Sequence, residues 1–272
     1  MDTPYRSGTD VHVLPTNLAL PGVGVLPVYA YVLLAEEPVL IDTGVGVDGE
    51  QFIDALAEIV DPVALRWVWL THDDADHTGS IQRVLEWAPN ARLVTNAFCA
   101  LRMATWWNVP LGRVHAMRVG DTLHVGDRTL RAFAPPLFDN PLSMGIVDES
   151  SGALFSVDAF GAILPEPTDD LATVPPEALA GGMLGWATSD SPWAHLVDRE
   201  RFGEVLGRVR DLQPTRVFSS HLPSADGASL DQFMQVLEAV PDAEPFVPPD
   251  HEQFGHLVAA LTAQAHPAGA AT

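Results

Sequence analysis

The six residues from His72 to His77 hold two imidazoles and three carboxylates, His72, Asp73, Asp74, Asp76 and His77. Crowded into one loop, these groups desolvate and repel one another unless something positive sits among them. One or two metal ions are the economical explanation. Carboxylate-rich sites of mixed nitrogen and oxygen donors suit iron or manganese at least as well as zinc, and no thiol lies near. Acid-rich loops also occur as solvated surface, and Asp76 or Thr78 could cap a following helix. Turn chemistry of that kind does not need histidine at both ends of the cluster.

The elements around the cluster are suited to holding it. Trp67-Val68-Trp69-Leu70 is a run of apolar residues that reads as a buried strand, and after Gly79 the apolar residues Ile81, Val84, Leu85 and Ala88 recur with helical spacing. The cluster therefore falls on a strand-to-helix connection fixed at both ends, as metal ligands require. Upstream, Val11 to Pro15 reads as an edge strand, and Val32 to Leu34 with Pro38 to Ile41 as a hairpin. Phe52, Leu56 and Ile59 mark an amphipathic helix that stops at Asp61-Pro62. Downstream come a strand at Arg92 to Thr95, a helix from Ala97 to Thr105 and two or three strands between Val114 and Phe133. A hairpin spans Met144 to Val157, helices cover Arg199 to Leu212 and Leu230 to Val240, and a strand runs from Arg216 to Ser220. Residues 161–195 are rich in proline, glycine and acids and read as an irregular insertion over a site. Residues 250–272 read as a last helix followed by an alanine-rich tail. Strands in pairs and meanders, with helices interspersed, favour two packed sheets flanked by helices over a doubly wound parallel sheet. The whole chain, 1–272, is expected to form a single domain.

Three later stretches could complete a metal site: Phe138-Asp139-Asn140-Pro141, Ser156-Val157-Asp158, and Ser219-Ser220-His221. In the last two an apolar strand ends on a carboxylate or an imidazole, where a sheet can aim a side chain into a common cleft. Taken singly, an Asp before Asn-Pro is often a turn residue and a His after a strand a hydrogen-bonded loop residue. Their joint order carries the case.

That order resembles the metallo-β-lactamase fold superfamily, whose motif is His-x-His-x-Asp-His followed by a His, a bridging Asp and a final His. Here the motif stands as His72-x-Asp74-x-Asp76-His77, with an acid in place of its second His. An acid there is similar to the flavodiiron proteins and their His-x-Glu-x-Asp-His-Ser-Gly-Ser loop. Ala88-Pro89-Asn90-Ala91, Asp139 to Met144, Leu154 to Gly161 and Ser220 to Pro223 also fall in the family's order. The resemblance implies an α/β (α+β) metallo-β-lactamase-like αββα sandwich with two mixed sheets. It implies one metal held by His72, Asp74 and Asp139, and a second held by Asp76, His77 and His221, with Asp158 bridging them. Asp76 and Asp158 would carry catalytic roles, while Asp42 and Thr71 would orient the ligands from behind. Asp74 is one methylene shorter than the family's Glu, and Asp139 replaces a His.

Two metal ions are thus expected, iron first, with zinc or manganese as alternatives. A flavodoxin-like domain and a glycine-rich flavin phosphate loop are not visible in the sequence, so no flavin is expected on this chain and electrons would come from a separate donor protein. The substrate would be dioxygen or a similar small molecule. A homodimer stays open, although the family's head-to-tail pairing brings a flavin to the metals and so has less reason here. Hydrolysis of an ester, thioester or lactone by a metal-bridging hydroxide is the second reading, and a metal-binding sensor or interaction module without turnover the third.

The formal charge of −22 would repel phosphate backbones, which argues against nucleic acid as a partner. All fourteen basic side chains are arginine. No apolar run is long enough to span a membrane and Met1-Asp2-Thr3-Pro4 does not start a secretory signal, so the expected location is cytoplasmic. The single cysteine, Cys99, is expected to be a buried small apolar residue. Trp106, Trp107, Trp186, Trp193 and Phe160 are expected in the core or an interface more than at a site entrance. His115, His124, His195, His251 and His256 are expected to be non-ligands, with His195 the best exception because it lies in the insertion.

Overall fold

The computed structural model describes residues 1–265. Thirteen strands form two sheets among these residues. The first sheet runs in sequence order through β1 (Tyr5–Ser7), β2 (Val11–Leu20), β3 (Gly24–Leu33), β4 (Val39–Ile41), β5 (Trp67–Trp69), β6 (Arg92–Thr95) and β7 (Val114–Ala116). Its first four strands are antiparallel and its last four parallel. The second sheet contains β8 (Thr122–His124), β9 (Thr129–Phe133), β10 (Gly145–Asp148), β11 (Ala153–Phe155), β12 (Arg216–Ser219) and β13 (Leu222–Asp226) in the order β13-β12-β11-β10-β9-β8. There β11 and β12 are parallel and the other pairs antiparallel.

Period-two alternation explains why the two sheets stack. On β3, Tyr29, Tyr31 and Leu33 face the second sheet while Ala30 and Val32 face helices. On β4 and β5, Val39, Ile41, Trp67 and Trp69 point inward between the sheets, and Leu40 and Val68 point outward. The inward set meets Ile146, Phe155 and Phe218 of the second sheet. The outer face of the first sheet is covered by α1 (Gly49–Ile59), α3 (Ile81–Trp87) and α4 (Ala97–Met103), through Phe52, Leu56, Val84, Leu85 and Met103. The outer face of the second is covered by α5 (Pro176–Asp190), α6 (Arg199–Arg210) and α7 (Leu230–Ala239), through Met183, Leu206 and Phe233. The layers are therefore helix, sheet, sheet, helix. A one-turn helix, α2 (Ala75–Thr78), lies inside the ligand loop, and α8 (His251–Ala265) closes the described chain.

Two expectations need correction. Val11 to Pro15 is not at the edge: β2 pairs on both sides, and the edge strand is the short, polar β1. Residues 161–195 are not irregular, because they contain the fifteen-residue α5. Gly181, Gly182 and Gly185 dilute its helical signal, each costing about 1 kcal/mol of propensity relative to alanine, and packing of Leu179, Met183 and Ala187 supplies what propensity lacks. The chain after His221 continues directly as β13, antiparallel to β12. The alanine-rich end of the tail lies outside the described residues. No described helix is long and apolar enough to cross a membrane.

The ligand loop is anchored by a backbone contact at Gly79. Its amide donates to the Gly44 carbonyl at 2.9 Å, and a Cβ there would collide with the backbone of Gly44, Val45 and Gly46. Gly79→Ala is expected to force that crossing apart and to lower stability by about 3 kcal/mol, the upper range for overpacking. Denaturant unfolding of the variant checks it; a loss within error of zero would mean that the crossing is looser than its geometry indicates.

Candidate metal centre

The seven side chains singled out in the sequence meet at one edge of the sandwich, where four strands end. Asp42 follows β4, the loop of residues 70–80 follows β5, Asp158 follows β11, and His221 follows β12. Because β4 is parallel to β5 and β11 to β12, each sheet delivers two of these ends on one side. Crevices at carboxyl ends of parallel strands are the usual ligand sites of such sheets. Residues 42, 157 and 160 have φ of 57°, 59° and 68°. Asp tolerates that conformation, but a β-branched Val at position 157 is strained, and the strain sits beside Asp158.

Two lobes share Asp158. In the first, His72 Nε2 lies 3.5 Å from Asp158 Oδ2, 3.7 Å from Asp74 and 3.8 Å from Asp139. In the second, His77 Nε2 and His221 Nε2 each lie 3.1 Å from Asp158 Oδ1, with Asp76 Oδ2 at 3.6 Å and 3.5 Å from them. His72, Asp74 and Asp139 offer donor atoms within 4.8 Å of one another, and so do Asp76, His77 and His221. His72, His77, His221 and Asp158 are buried, whereas Asp74, Asp76 and Asp139 are about a third exposed at the rim.

The imidazoles are oriented from behind. Asp42 Oδ2 accepts from His77 Nδ1 at 2.8 Å, and the Pro27 carbonyl accepts from His221 Nδ1 at 2.7 Å. Thr71 donates its amide and hydroxyl to Asp42, and its oxygen accepts from His72 Nδ1 at 3.1 Å. With all three Nδ1 atoms protonated, each Nε2 turns its lone pair toward the carboxylates. Lone pairs facing an anion at 3.1 Å repel unless a proton or a cation lies between them. Asp158 Oδ2, moreover, is buried with no hydrogen-bond partner. A pair of cations satisfies both conditions at once, so the residues present fit a dinuclear metal group.

Several neighbours escaped the sequence reading. Asn140 Nδ2 donates to Asp74 Oδ1 at 2.9 Å and to Asp73 at 3.0 Å, which fixes the shorter acid of the first lobe. In the sequence the same motif points only to Asp139. Asp73 turns away to pair with Arg102 at 3.0 Å and accepts from the Cys99 thiol. Cys99 is buried as expected, and burial pushes its thiol up to about 12. Trp186 lies on the site, its ring 4.5 Å from His221 and its Nε1 donating to the Asp158 carbonyl at 3.0 Å. Trp193 donates to the Phe138 carbonyl, next to Asp139, and Trp106 is exposed. Phe160 is core, against Phe233. His195 is exposed and belongs to neither lobe.

Without cations the centre holds its charges under tension. Burial pushes the Asp139 carboxyl up to about 8, reinforced by Asp74 and Asp158, and burial with the Asp158 charge pushes Asp190 up to about 7. Burial opposes charge on His77 and His221, but the surrounding carboxylates outweigh it and raise both. Burial and His77 lower His72. Groups raised by folding stabilise the folded state at low pH, and that contribution disappears as pH climbs through their folded values. Asp139, Asp190, His77 and His221 act in this direction; His72 opposes them, as do His12 and His115 outside the centre, both lowered by burial. Asp74 and Asp158, both lowered, contribute fully above the ordinary carboxylate range and add no slope here. Chelator-stripped protein is therefore expected to lose thermal stability between about pH 5 and about pH 8. Metal-loaded protein should show a flatter profile. Thermal melts across that window check this, and a rising Tm for the stripped protein would contradict it.

Residues 23–222 match the metallo-beta-lactamase superfamily, and the chain belongs to it. All seven proposed ligands fall within the matched stretch. Within the superfamily the likeness is to the β-lactamase-like diiron domain of flavodiiron proteins. The flavo-diiron protein FprA2 of Clostridium acetobutylicum is 28% identical over 139 residues, covering 51% of this chain and 35% of that protein. A nitric oxide reductase of Moorella thermoacetica is 28% identical over 134 residues, 48% of this chain and 33% of that protein. The solved rubredoxin oxygen:oxidoreductase of Desulfovibrio gigas superposes with a TM-score of 0.75 at 17% identity, covering 90% of this chain and 63% of that one. The matched stretches thus span about a third of these curated relatives, and the structural likeness establishes the shared sandwich fold.

Proposed function

We propose that this protein is a non-haem diiron protein that binds or reduces dioxygen, or a similar small oxidant such as nitric oxide, with electrons from a separate donor protein. The observation that carries this is the donor set: four carboxylates and three imidazoles converge in two lobes, with Asp74 in place of an imidazole. Anionic oxygen donors favour the ferric state and disfavour selective capture of zinc. The names of the relatives, a flavo-diiron protein and a nitric oxide reductase among them, agree with that preference. His72, Asp74 and Asp139 would hold one iron, Asp76, His77 and His221 the other, and Asp158 both. When bound, the pair supplies one-electron redox steps at two adjacent centres and Lewis acidity toward a small oxidant.

The chain's own residues do the rest. Asp42 and Thr71 hold His77 and His72 in the protonation state that leaves Nε2 free, and the Pro27 carbonyl does so for His221. Trp186 covers His221 and excludes water from that side. Asp76 and Asp139 stand at the rim, so their outer oxygens are placed to pass protons between solvent and the site, while buried Asp158 is not. A cytoplasmic setting, with no flavin on this chain, completes the proposal.

Iron-loaded protein, reduced anaerobically and mixed with dioxygen or nitric oxide, is expected to reoxidise in a single turnover visible by stopped-flow absorbance. Inert iron-loaded protein, with zinc-loaded protein turning over an ester, thioester or lactone, would replace this reading with hydrolysis.

A further inference from the structure

The carboxylates at the centre are more numerous than the sequence motifs supply. Asp190, the last residue of α5, places a carboxylate oxygen within 4.8 Å of oxygens of both Asp139 and Asp158. The neighbouring Ser191 hydroxyl donates to it at 3.1 Å, and among the described residues no cationic side chain lies within 4.0 Å of it, although His221 and His77 are near enough to attract its charge. Three features make this position costly without a cation. The side chain is largely buried, it faces two other acids, and it sits at the C-terminal end of a helix, where the backbone dipole already carries partial negative charge. Asp158 Oδ2, buried and unpartnered, belongs to the same small volume.

The placement of α5 is tightly constrained. Gly182 packs against the Ile163 carbonyl so closely that a Cβ there would overlap it, and the Gly182 carbonyl accepts from the Ile163 amide at 3.2 Å. One turn later Trp186 donates to the Asp158 carbonyl and lies against His221. Asp190 follows Trp186 by four residues, so it projects from the same face of the helix. The contacts that press Trp186 onto the centre therefore also deliver Asp190 to it.

We infer that Asp190 is an additional ligand of the metal centre, donated by α5 to the ion that Asp139 and Asp158 hold. The inference rests on the dinuclear reading above. It makes α5 a wall of the centre and brings its carboxylates to five, Asp74, Asp76, Asp139, Asp158 and Asp190. That many anionic oxygens favour hard, highly charged cations over zinc.

The full chain, wild type and the variants Asp190→Asn and Asp190→Glu, would be titrated with ferrous ion and with manganese in competition with a chelator, and analysed for bound metal. Asp190→Asn keeps size and hydrogen bonding but loses the charge. It is expected to weaken one of the two bound ions at least 10-fold and leave the other unchanged, with Asp190→Glu recovering part of the loss. The metal-induced rise in Tm should shrink in Asp190→Asn, because one ion contributes less. Wild type binding two ions and Asp190→Asn binding both with the same affinity would overturn the role of Asp190 alone. Wild type binding none would overturn the dinuclear reading and this inference with it.

Discussion

Asp158→Ala is expected to strip both ions from the protein, taking bound metal from near two per chain to well under one. Asp158 is the carboxylate that faces both lobes: Oδ1 lies 3.1 Å from His77 and His221, and Oδ2 lies 3.5 Å from His72 with no hydrogen-bond donor. Alanine removes the one anion common to the two positions and leaves each lobe short of a ligand. The Trp186 hydrogen bond goes to the main-chain carbonyl of residue 158, so the docking of α5 survives the substitution. Elemental analysis of the purified variant, with circular dichroism to confirm folding, is the check. Asp158→Asn, which keeps the shape and one oxygen, should retain partial occupancy. Full occupancy in the folded alanine variant would contradict the shared-ligand geometry.

Asp42→Ala should weaken the ion at His77 by about 10- to 100-fold, the usual loss when the partner behind a ligand is removed. Asp42 accepts from His77 Nδ1, from the Thr71 amide and from the Thr71 hydroxyl, all buried. Without it the imidazole can take the other tautomer and turn a proton toward the metal. The donors left without an acceptor also cost about 1 to 3 kcal/mol each, so the variant should unfold at lower denaturant. Asp42→Asn is the milder change, because Asn tolerates the positive φ of 57° and retains an acceptor oxygen. Chelator competition separates the affinity loss from the stability loss. A variant that is destabilised but binds both ions normally would restrict Asp42 to holding the turn.

Much of the first sheet could be read in advance because each of its central strands announces itself. Trp67-Val68-Trp69 is apolar on both faces, and it is covered on one side by the second sheet and on the other by helices. The strand ends at Asp158 and His221 were visible as apolar runs stopping on a ligand type, and the structure brings both to the loop of residues 72–77. What stayed hidden depended on tertiary packing. The three-residue β1 mixes Tyr, Arg and Ser and has no alternation to detect, so the sequence pattern puts the edge at β2. Helix α5 is held by contacts at Gly182 and Trp186 that outweigh the glycines in its sequence. Asp190, inside Thr-Ser-Asp-Ser-Pro, has the local chemistry of a turn, and only the fold carries it to Asp139 and Asp158. Asn140 stands next to a candidate ligand, but only the fold brings its amide to Asp74, 66 residues away in the chain.

The most direct measurement is the metal content and visible spectrum of protein produced with iron and zinc both available. Near two irons per chain, with absorption that bleaches on reduction and returns in air, is the predicted result. Two zincs in a colourless protein, or a folded protein holding no metal at all, would contradict it.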